Sequence, residues 1–140
     1  MKQPVVTSRA LLGLRVLVVE DDYFIALELC TALRACGADI IGPARDLESG
    51  LAAVRDEHID CGVLDINLQG RMGFQIASEL RARDIPAIFA TGYTRATIPA
   101  ELADLPRLEK PVDLAGLCRT VESVVFGATR RRDSRAAVDQ

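Results

Sequence analysis

The sequence predicts an α/β fold: a doubly wound sheet of five parallel strands with helices on both faces. Three observations carry this. Short apolar runs alternate with helical patterns along the 140 residues, and strand–helix alternation repeated this way implies parallel pairing. Three of the runs are continuous rather than alternating, as strands covered on both faces require. The length suits one domain, and 49% apolar residues are enough for its core.

The first strand is Val16–Val19. A helical stripe follows, Ile25, Leu29, Ala32, Leu33 and Cys36, and stops at Gly37. The second strand is Asp39–Gly42. Asp46 is placed to N-cap a second helix with the stripe Leu47, Leu51 and Val54. Cys61–Leu64 is the third strand, and Ile76, Ala77 and Leu80 mark a third helix that ends before Pro86. Ala87–Ala90 is the fourth strand. Thr94–Leu105 has poor helix propensity because of Thr97 and Pro99, which predicts a short or mobile helix. Arg107–Glu109 is assigned as the fifth strand mainly from its position. The clearest stripe comes last: Leu114, Leu117, Cys118, Val121, Val124 and Val125, begun at Asp113 and ended near Gly127. The expected layout is an N-terminal extension over residues 1–14, one domain over 15–127 and a flexible Arg-rich tail over 128–140. With right-handed crossovers, a chain this short takes the strand order 2-1-3-4-5, the flavodoxin-like arrangement.

Composition narrows the function classes. The net charge is −3, but the last eleven residues carry four Arg and two Asp, which leaves the body at −5. An acidic body does not suit a nucleic-acid binder. Cys30, Cys36, Cys61 and Cys118 form no Cys-x-x-Cys pair, and His58 is the one available imidazole, so a zinc site is not expected and the thiols read as reduced core residues. Arg9 and Arg15 interrupt the first apolar run, which argues against a signal peptide, and no apolar stretch reaches the ~18 residues of a membrane span. A cytoplasmic location is the expectation.

Ligands of doubly wound sheets bind outside the carboxyl ends of the strands. Here strand one ends in Glu20-Asp21-Asp22, strand three in Asp65, strand four in Thr91 and strand five in Lys110. Any one of these has an ordinary explanation: a strand-end Asp often caps the next helix, and Lys110 before Pro111 can be a solvated loop residue. Together, the predicted order sets carboxylates beside one ammonium and one hydroxyl. Converging carboxylates repel, and a hard divalent cation such as Mg²⁺ relieves them. Asp21 and Asp65 are the expected ligands. An anionic nucleophile, a metal and a cation for the moving group make up a phosphoryl-transfer site.

The residues Val18-Val19-Glu20-Asp21-Asp22, Leu64-Asp65-Ile66-Asn67-Leu68 with Gly73, Ala90-Thr91-Gly92 and Glu109-Lys110-Pro111 resemble the receiver domain of two-component response regulators, over roughly Arg15 to Gly127. The run Phe89-Ala90-Thr91-Gly92-Tyr93 is similar to a receiver subgroup with a Phe-Ala-Thr-Gly-Tyr motif that often occurs as single-domain proteins. The resemblance implies Asp65 as phosphoacceptor. It implies Mg²⁺ held by Asp21 and Asp65, by Glu20 through water and by the Asn67 backbone carbonyl. Lys110 would contact a phosphoryl oxygen, Thr91 would hydrogen-bond the phosphoryl group, and Lys110–Pro111 would be cis. Arg107 stands where many receivers carry an aromatic switch residue, so the resemblance implies a switch made of Thr91, Tyr93 and Arg107, without an aromatic rotamer at the Arg107 position.

The reading that follows is a stand-alone receiver, phosphorylated on Asp65 by a histidine kinase or phosphotransfer protein. It catalyses only its own phosphorylation and dephosphorylation, and it changes partner at the face of the Thr94–Leu105 segment and fifth strand. It uses neither nucleic acid nor membrane. Two rivals stand beside it. An aspartyl-phosphate phosphatase of the haloacid dehalogenase type needs a carboxylate two residues after the nucleophile, where this chain has Asn67, and usually a cap insertion that this chain is too short to hold. A non-phosphorylated binding module would have no need of Asp21, Asp65, Thr91 and Lys110.

Overall fold

The computed structural model describes residues 9–92 and 98–138, with side chains to residue 127. In chain order it contains β1 (Arg15–Val19), α1 (Tyr23–Ala35), β2 (Asp39–Ala44), α2 (Leu47–Asp56), β3 (Cys61–Leu64), β4 (Asn67–Leu68), β5 (Arg71–Met72), α3 (Phe74–Ala82), β6 (Ala87–Thr91), a 3₁₀ turn (Ala100–Leu102), β7 (Arg107–Glu109) and α4 (Leu114–Val138). Five strands pair in the order β2-β1-β3-β6-β7, all parallel. This is the predicted 2-1-3-4-5 order, with β6 and β7 as the fourth and fifth strands.

The sheet separates two apolar clusters, and alternation along each strand feeds both. Leu17, Val19, Leu64 and Phe89 face α2 and α3 together with Val54, Ile76 and Leu80. Val16, Val18, Val63, Ile88 and Ala90 face α1 and α4 together with Leu29, Leu33, Leu117 and Val121. All of these are buried, which is why the central strands read as unbroken apolar runs.

Several boundaries differ from the expectation. β2 continues through Gly42–Pro43 to Ala44 with a shift in register between Leu17 and Val19 of β1. Strand pairing overrides the turn-like Gly-Pro sequence because this strand lies at the sheet edge, where a missing N–H is tolerated. Both Gly42–Pro43 and Lys110–Pro111 are cis. A two-stranded antiparallel hairpin, β4 and β5, follows β3 around Gln69 and Gly70, both at positive φ. Of the Thr94–Leu105 segment, residues 94–97 lie outside the described residues; the rest holds a 3₁₀ turn with Ile98 and Leu102 buried. Arg81 of α3 grips this part through the Glu101 carbonyl oxygen and through Asp104 Oδ2 at 2.6 Å. α4 does not end near Gly127 but continues to Val138. One glycine costs a helix only about 1 kcal/mol, and the Ala- and Arg-rich run beyond it favours helix.

Residues just before β1 are also part of the packed domain. Leu11 is fully buried in the α1–α4 cluster, and its N–H donates to the Cys36 carbonyl oxygen at 2.9 Å. No described helix is long and apolar enough to cross a membrane.

Candidate functional site at the strand ends

The carboxyl ends of β1, β3, β6 and β7 open into one cleft of about 340 Å³, lined by Glu20, Asp21, Asp22, Ile25, Asp65, Asn67, Thr91, Gly92 and Lys110. Strand order produces this: β1 and β3 are neighbours whose connections leave on opposite faces, so their ends part and leave a crevice. Glu20 and Asp65 extend the two strands by one residue. The Asp65 N–H donates to the Val19 carbonyl oxygen at 2.8 Å, which sets the loop after β3 against the end of β1.

Carboxylate oxygens of Glu20, Asp21 and Asp65 all lie within 4.8 Å of one another. Lys110 reaches in from the end of β7, with Nζ 2.7 Å from Glu20 Oε1 and 3.1 Å from Asp65 Oδ2. The remaining contacts fix the cluster's walls. Asp22 turns away and N-caps α1, its Oδ1 accepting from the amides of Phe24 (2.9 Å) and Ile25 (3.1 Å). Its own N–H donates to Glu20 Oε2 at 3.1 Å. The Gln69 amide at the hairpin tip donates to Asp21 Oδ2 at 3.0 Å, and the Asn67 side chain closes the same turn by accepting from the Gly70 amide at 3.0 Å.

Burial makes this cluster costly as it stands. Desolvation pushes the Glu20 carboxyl up to about 7, against the pull of the Lys110 ammonium and the Asp22 amide. Burial by itself pulls Lys110 down, but its contacts with Glu20 and Asp65 outweigh that and leave it above the ordinary lysine value. Glu20 Oε1 is buried and meets the Lys110 ammonium at 2.7 Å. Three carboxyl groups against one ammonium form a set of hard oxygen ligands with negative charge to spare. That chemistry fits a small divalent cation.

The structure brings together Glu20, Asp21, Asp65, Asn67, Thr91 and Lys110. Thr91 closes β6 and is buried, and its carbonyl oxygen accepts from the Lys110 amide at 3.2 Å. Arg107 is not brought in: it opens β7 in register with Phe89, half-buried, three residues short of the site. Tyr93 lies outside the described residues. The sequence reading missed the hairpin that holds Asp21. Its signal was Gln69-Gly70, a turn-forming pair two residues past Asn67.

An open parallel α/β sheet with an acidic, lysine-bridged crevice at its switch point is a doubly wound domain with its ligand site where that fold puts one, and the comparisons give the family. The sequence matches the family model for the response regulator receiver domain over residues 16–122; the chain belongs to that family. The sensory transduction protein LytT of Bacillus subtilis is 33% identical over 113 residues, 78% of this chain and 47% of LytT. The transcriptional regulatory protein PdtaR of Mycobacterium tuberculosis is 26% identical over 129 residues, 89% of this chain and 63% of PdtaR. The chain thus spans about half the length of the first of these curated relatives and under two thirds of the second. Among solved structures, SdrG from Sphingomonas melonis Fr1 superposes with a TM-score of 0.69 at 33% identity, over 85% of this chain and 96% of SdrG. A second SdrG structure, described as the BeF3-activated conformation, is 30% identical with a TM-score of 0.67, over 86% of this chain and 99% of that one. A CheY-like receiver domain protein from Methanospirillum hungatei JF-1 shares the fold at 22% identity, with a TM-score of 0.70 over 84% of this chain and 98% of that one.

Proposed function

We propose that this receiver accepts a phosphoryl group on Asp65 from a histidine kinase or phosphotransfer protein, and that the modified site changes which protein the domain binds. The observation that carries this is the Lys110 ammonium held against Glu20 and Asp65 at the mouth of the cleft. Such a cation, fixed beside a strand-end carboxylate, stabilises charge on a transferring phosphoryl group.

Glu20, Asp21, Asp65 and the Asn67 backbone carbonyl are the residues that would hold Mg²⁺. When bound, that ion neutralises carboxylate charge and phosphoryl oxygens during in-line transfer. The chain's own residues do the rest. Asp65 supplies the attacking carboxylate oxygen, and the phosphorus–nitrogen bond of a phosphohistidine breaks as the acyl phosphate forms. Lys110 shifts from Asp65 Oδ2 toward a phosphoryl oxygen. The product brings roughly −2 charge into the cleft. Thr91 donates its hydroxyl to the phosphoryl group and draws Gly92 after it, with Tyr93 proposed in support. The face formed by residues 98–105 and β7 then presents a different surface, a population shift biased by local contacts.

The phosphatase alternative requires an acid/base carboxylate two residues after Asp65. Asn67 stands there, with its side chain committed to the Gly70 amide. An amide cannot shuttle the proton.

The test is phosphate uptake from acetyl phosphate or phosphoramidate with Mg²⁺, read by intact mass. The chain should gain one acid-labile, hydroxylamine-sensitive phosphate, and Asp65→Ala should gain none. Hydroxylamine-sensitive uptake that survives in Asp65→Ala moves the acceptor elsewhere. Many-fold turnover of a small phosphate ester would favour the phosphatase.

A further inference from the structure

Lys110 holds two of the three carboxylates in the cleft, Glu20 and Asp65. Asp21 makes no ion pair among the described residues. It lies between β1 and α1, so neither a strand nor a helix fixes its side chain. The hydrogen bond that its carboxylate accepts comes from another part of the chain. It is the Gln69 amide at the tip of the β4–β5 hairpin, 3.0 Å from Asp21 Oδ2 and 48 residues away in sequence.

The hairpin is shaped to present that amide. Leu68 pairs with Arg71, so Gln69 and Gly70 form a two-residue turn. Both have positive φ, 54° and 85°, as a type I′ turn requires. The amides of the two central residues lie outside the strand ladder and need other acceptors. Gly70 donates to Asn67 Oδ1 at 3.0 Å, and Gln69 donates to Asp21. The base of the hairpin is anchored: Leu68 is buried in the α2–α3 cluster, and Arg71 pairs with Glu48 of α2. The tip carries strain. Gln69 sits in the left-handed region without the freedom of Gly or the short polar side chain of Asn or Asp. A backbone amide also suits the task chemically. It orients a carboxylate by a charge-assisted hydrogen bond and carries no net charge, so the carboxylate keeps its own for a cation.

We propose that the β4–β5 hairpin positions Asp21 for the divalent cation: Asn67 and Gly70 lock the turn, and the Gln69 amide holds one Asp21 oxygen and leaves the other for the cation. This rests on the cleft being the Mg²⁺ site proposed above. Gln69 is then a positioning residue, and so is the side chain of Asn67. A carboxylate oriented before binding loses less freedom when the cation arrives, which raises affinity without a further ligand.

The first measurement uses the wild-type chain without metal, by amide hydrogen exchange in NMR. The Gln69 amide should exchange more slowly than in an unstructured chain, and Asp21→Ala should lose that protection. An unprotected Gln69 amide in the wild type overturns the proposal whatever the folding of any variant. The second is a Mg²⁺ titration read at the Asp65 and Lys110 amides. A methyl on Gly70 would meet nothing within 4 Å, so Gly70→Ala acts through the backbone alone. Asn67→Ala removes the side chain that closes the turn and keeps the backbone carbonyl. Each should raise the Kd for Mg²⁺ roughly 3- to 10-fold, the scale of one hydrogen bond. Gly70→Asn should restore most of the affinity, because Asn tolerates positive φ. Labelling by acetyl phosphate should need more Mg²⁺ in Gly70→Ala yet reach the wild-type rate at saturation. Slow labelling at every Mg²⁺ concentration would overturn the proposal in favour of a hairpin that shapes the whole loop after β3. Wild-type affinity in both alanine variants would overturn it and leave the metal site standing. No Mg²⁺ response in the wild type would remove the metal site and the proposal with it.

Discussion

A methyl group on Gly73 would lie 2.9 Å from the Asp65 carbonyl oxygen and 3.1 Å from Leu68 Cδ1. The Gly73 amide meanwhile donates to the Ile66 carbonyl oxygen at 2.6 Å, which folds the loop after β3 back on itself. A side chain there must push the Asp65 backbone, and the geometry of the proposed transfer tolerates little displacement. Gly73→Ala should therefore slow phosphorylation by acetyl phosphate about tenfold while leaving the circular dichroism spectrum unchanged. An unaltered labelling rate would show that the loop absorbs the methyl elsewhere. Cys61 gives a second residue-level expectation. Burial pushes its thiol up to about 12, with the Asp60 carboxylate adding to the effect. The thiolate is the reactive form, so iodoacetamide at neutral pH should leave Cys61 unlabelled until the chain is unfolded in urea. Peptide mass mapping with and without denaturant checks this. The residues that line the cleft were legible one at a time, since Glu20, Asp21, Asp65, Thr91 and Lys110 stand at the ends of apolar runs. What the sequence could not disclose was their mutual occupancy. That Lys110 meets both Glu20 and Asp65 depends on distances between separate strands.

α2 begins on a reciprocal cap: the Ser49 amide donates to Asp46 Oδ1 at 2.8 Å, and the Ser49 hydroxyl accepts from the Asp46 amide. Bonds from Ser49 hold the Asp46 carboxyl below its usual range. A depressed carboxylate stabilises the fold above its unfolded value of roughly 3.9 and loses that contribution as pH falls through its folded value. The gap in thermal midpoint between the wild type and Asp46→Ala should therefore be wide at neutral pH and close in strong acid. A gap that stays constant would assign the loss to helix propensity instead of the charged cap. This start was readable because capping is local, Asp46 standing directly before Leu47. Elements set by distant contacts were not readable in the same way. The β4–β5 hairpin is only two residues a side, too short for an alternation pattern, and its tip is held by Asp21 from another loop. The extension of β2 past Gly42 follows from pairing with β1. α4 passes Gly127 because neighbouring residues of high propensity outweigh one glycine.

At the scale of the whole molecule, Leu11, just before β1, is sealed against α1 and α4. Leu11→Ala should cost about 2–5 kcal/mol in urea unfolding; a cost under about 1 kcal/mol would return these residues to the status of an extension. The larger global effect comes from charge. Glu20, Asp21 and Asp65 place three carboxylates within 4.8 Å, and one lysine answers them. Folding must assemble this repulsion, so part of the domain's stability is given up at the site it serves. Asp21→Asn removes one of the charges while keeping the shape and an oxygen to accept from the Gln69 amide. In EDTA the variant should be more stable than wild type by on the order of 1 kcal/mol. With Mg²⁺ the order should reverse. A ligand that binds only the folded state adds about 2.7 kcal/mol at a hundred times its Kd, and the wild type with all three carboxylates should collect most of that while the variant collects little. Paired urea titrations of both proteins, with and without Mg²⁺, measure the four stabilities. A variant less stable than wild type in EDTA would mean that the Gln69 contact outweighs the repulsion. Equal gains from Mg²⁺ in both proteins would mean that Asp21 is not a ligand.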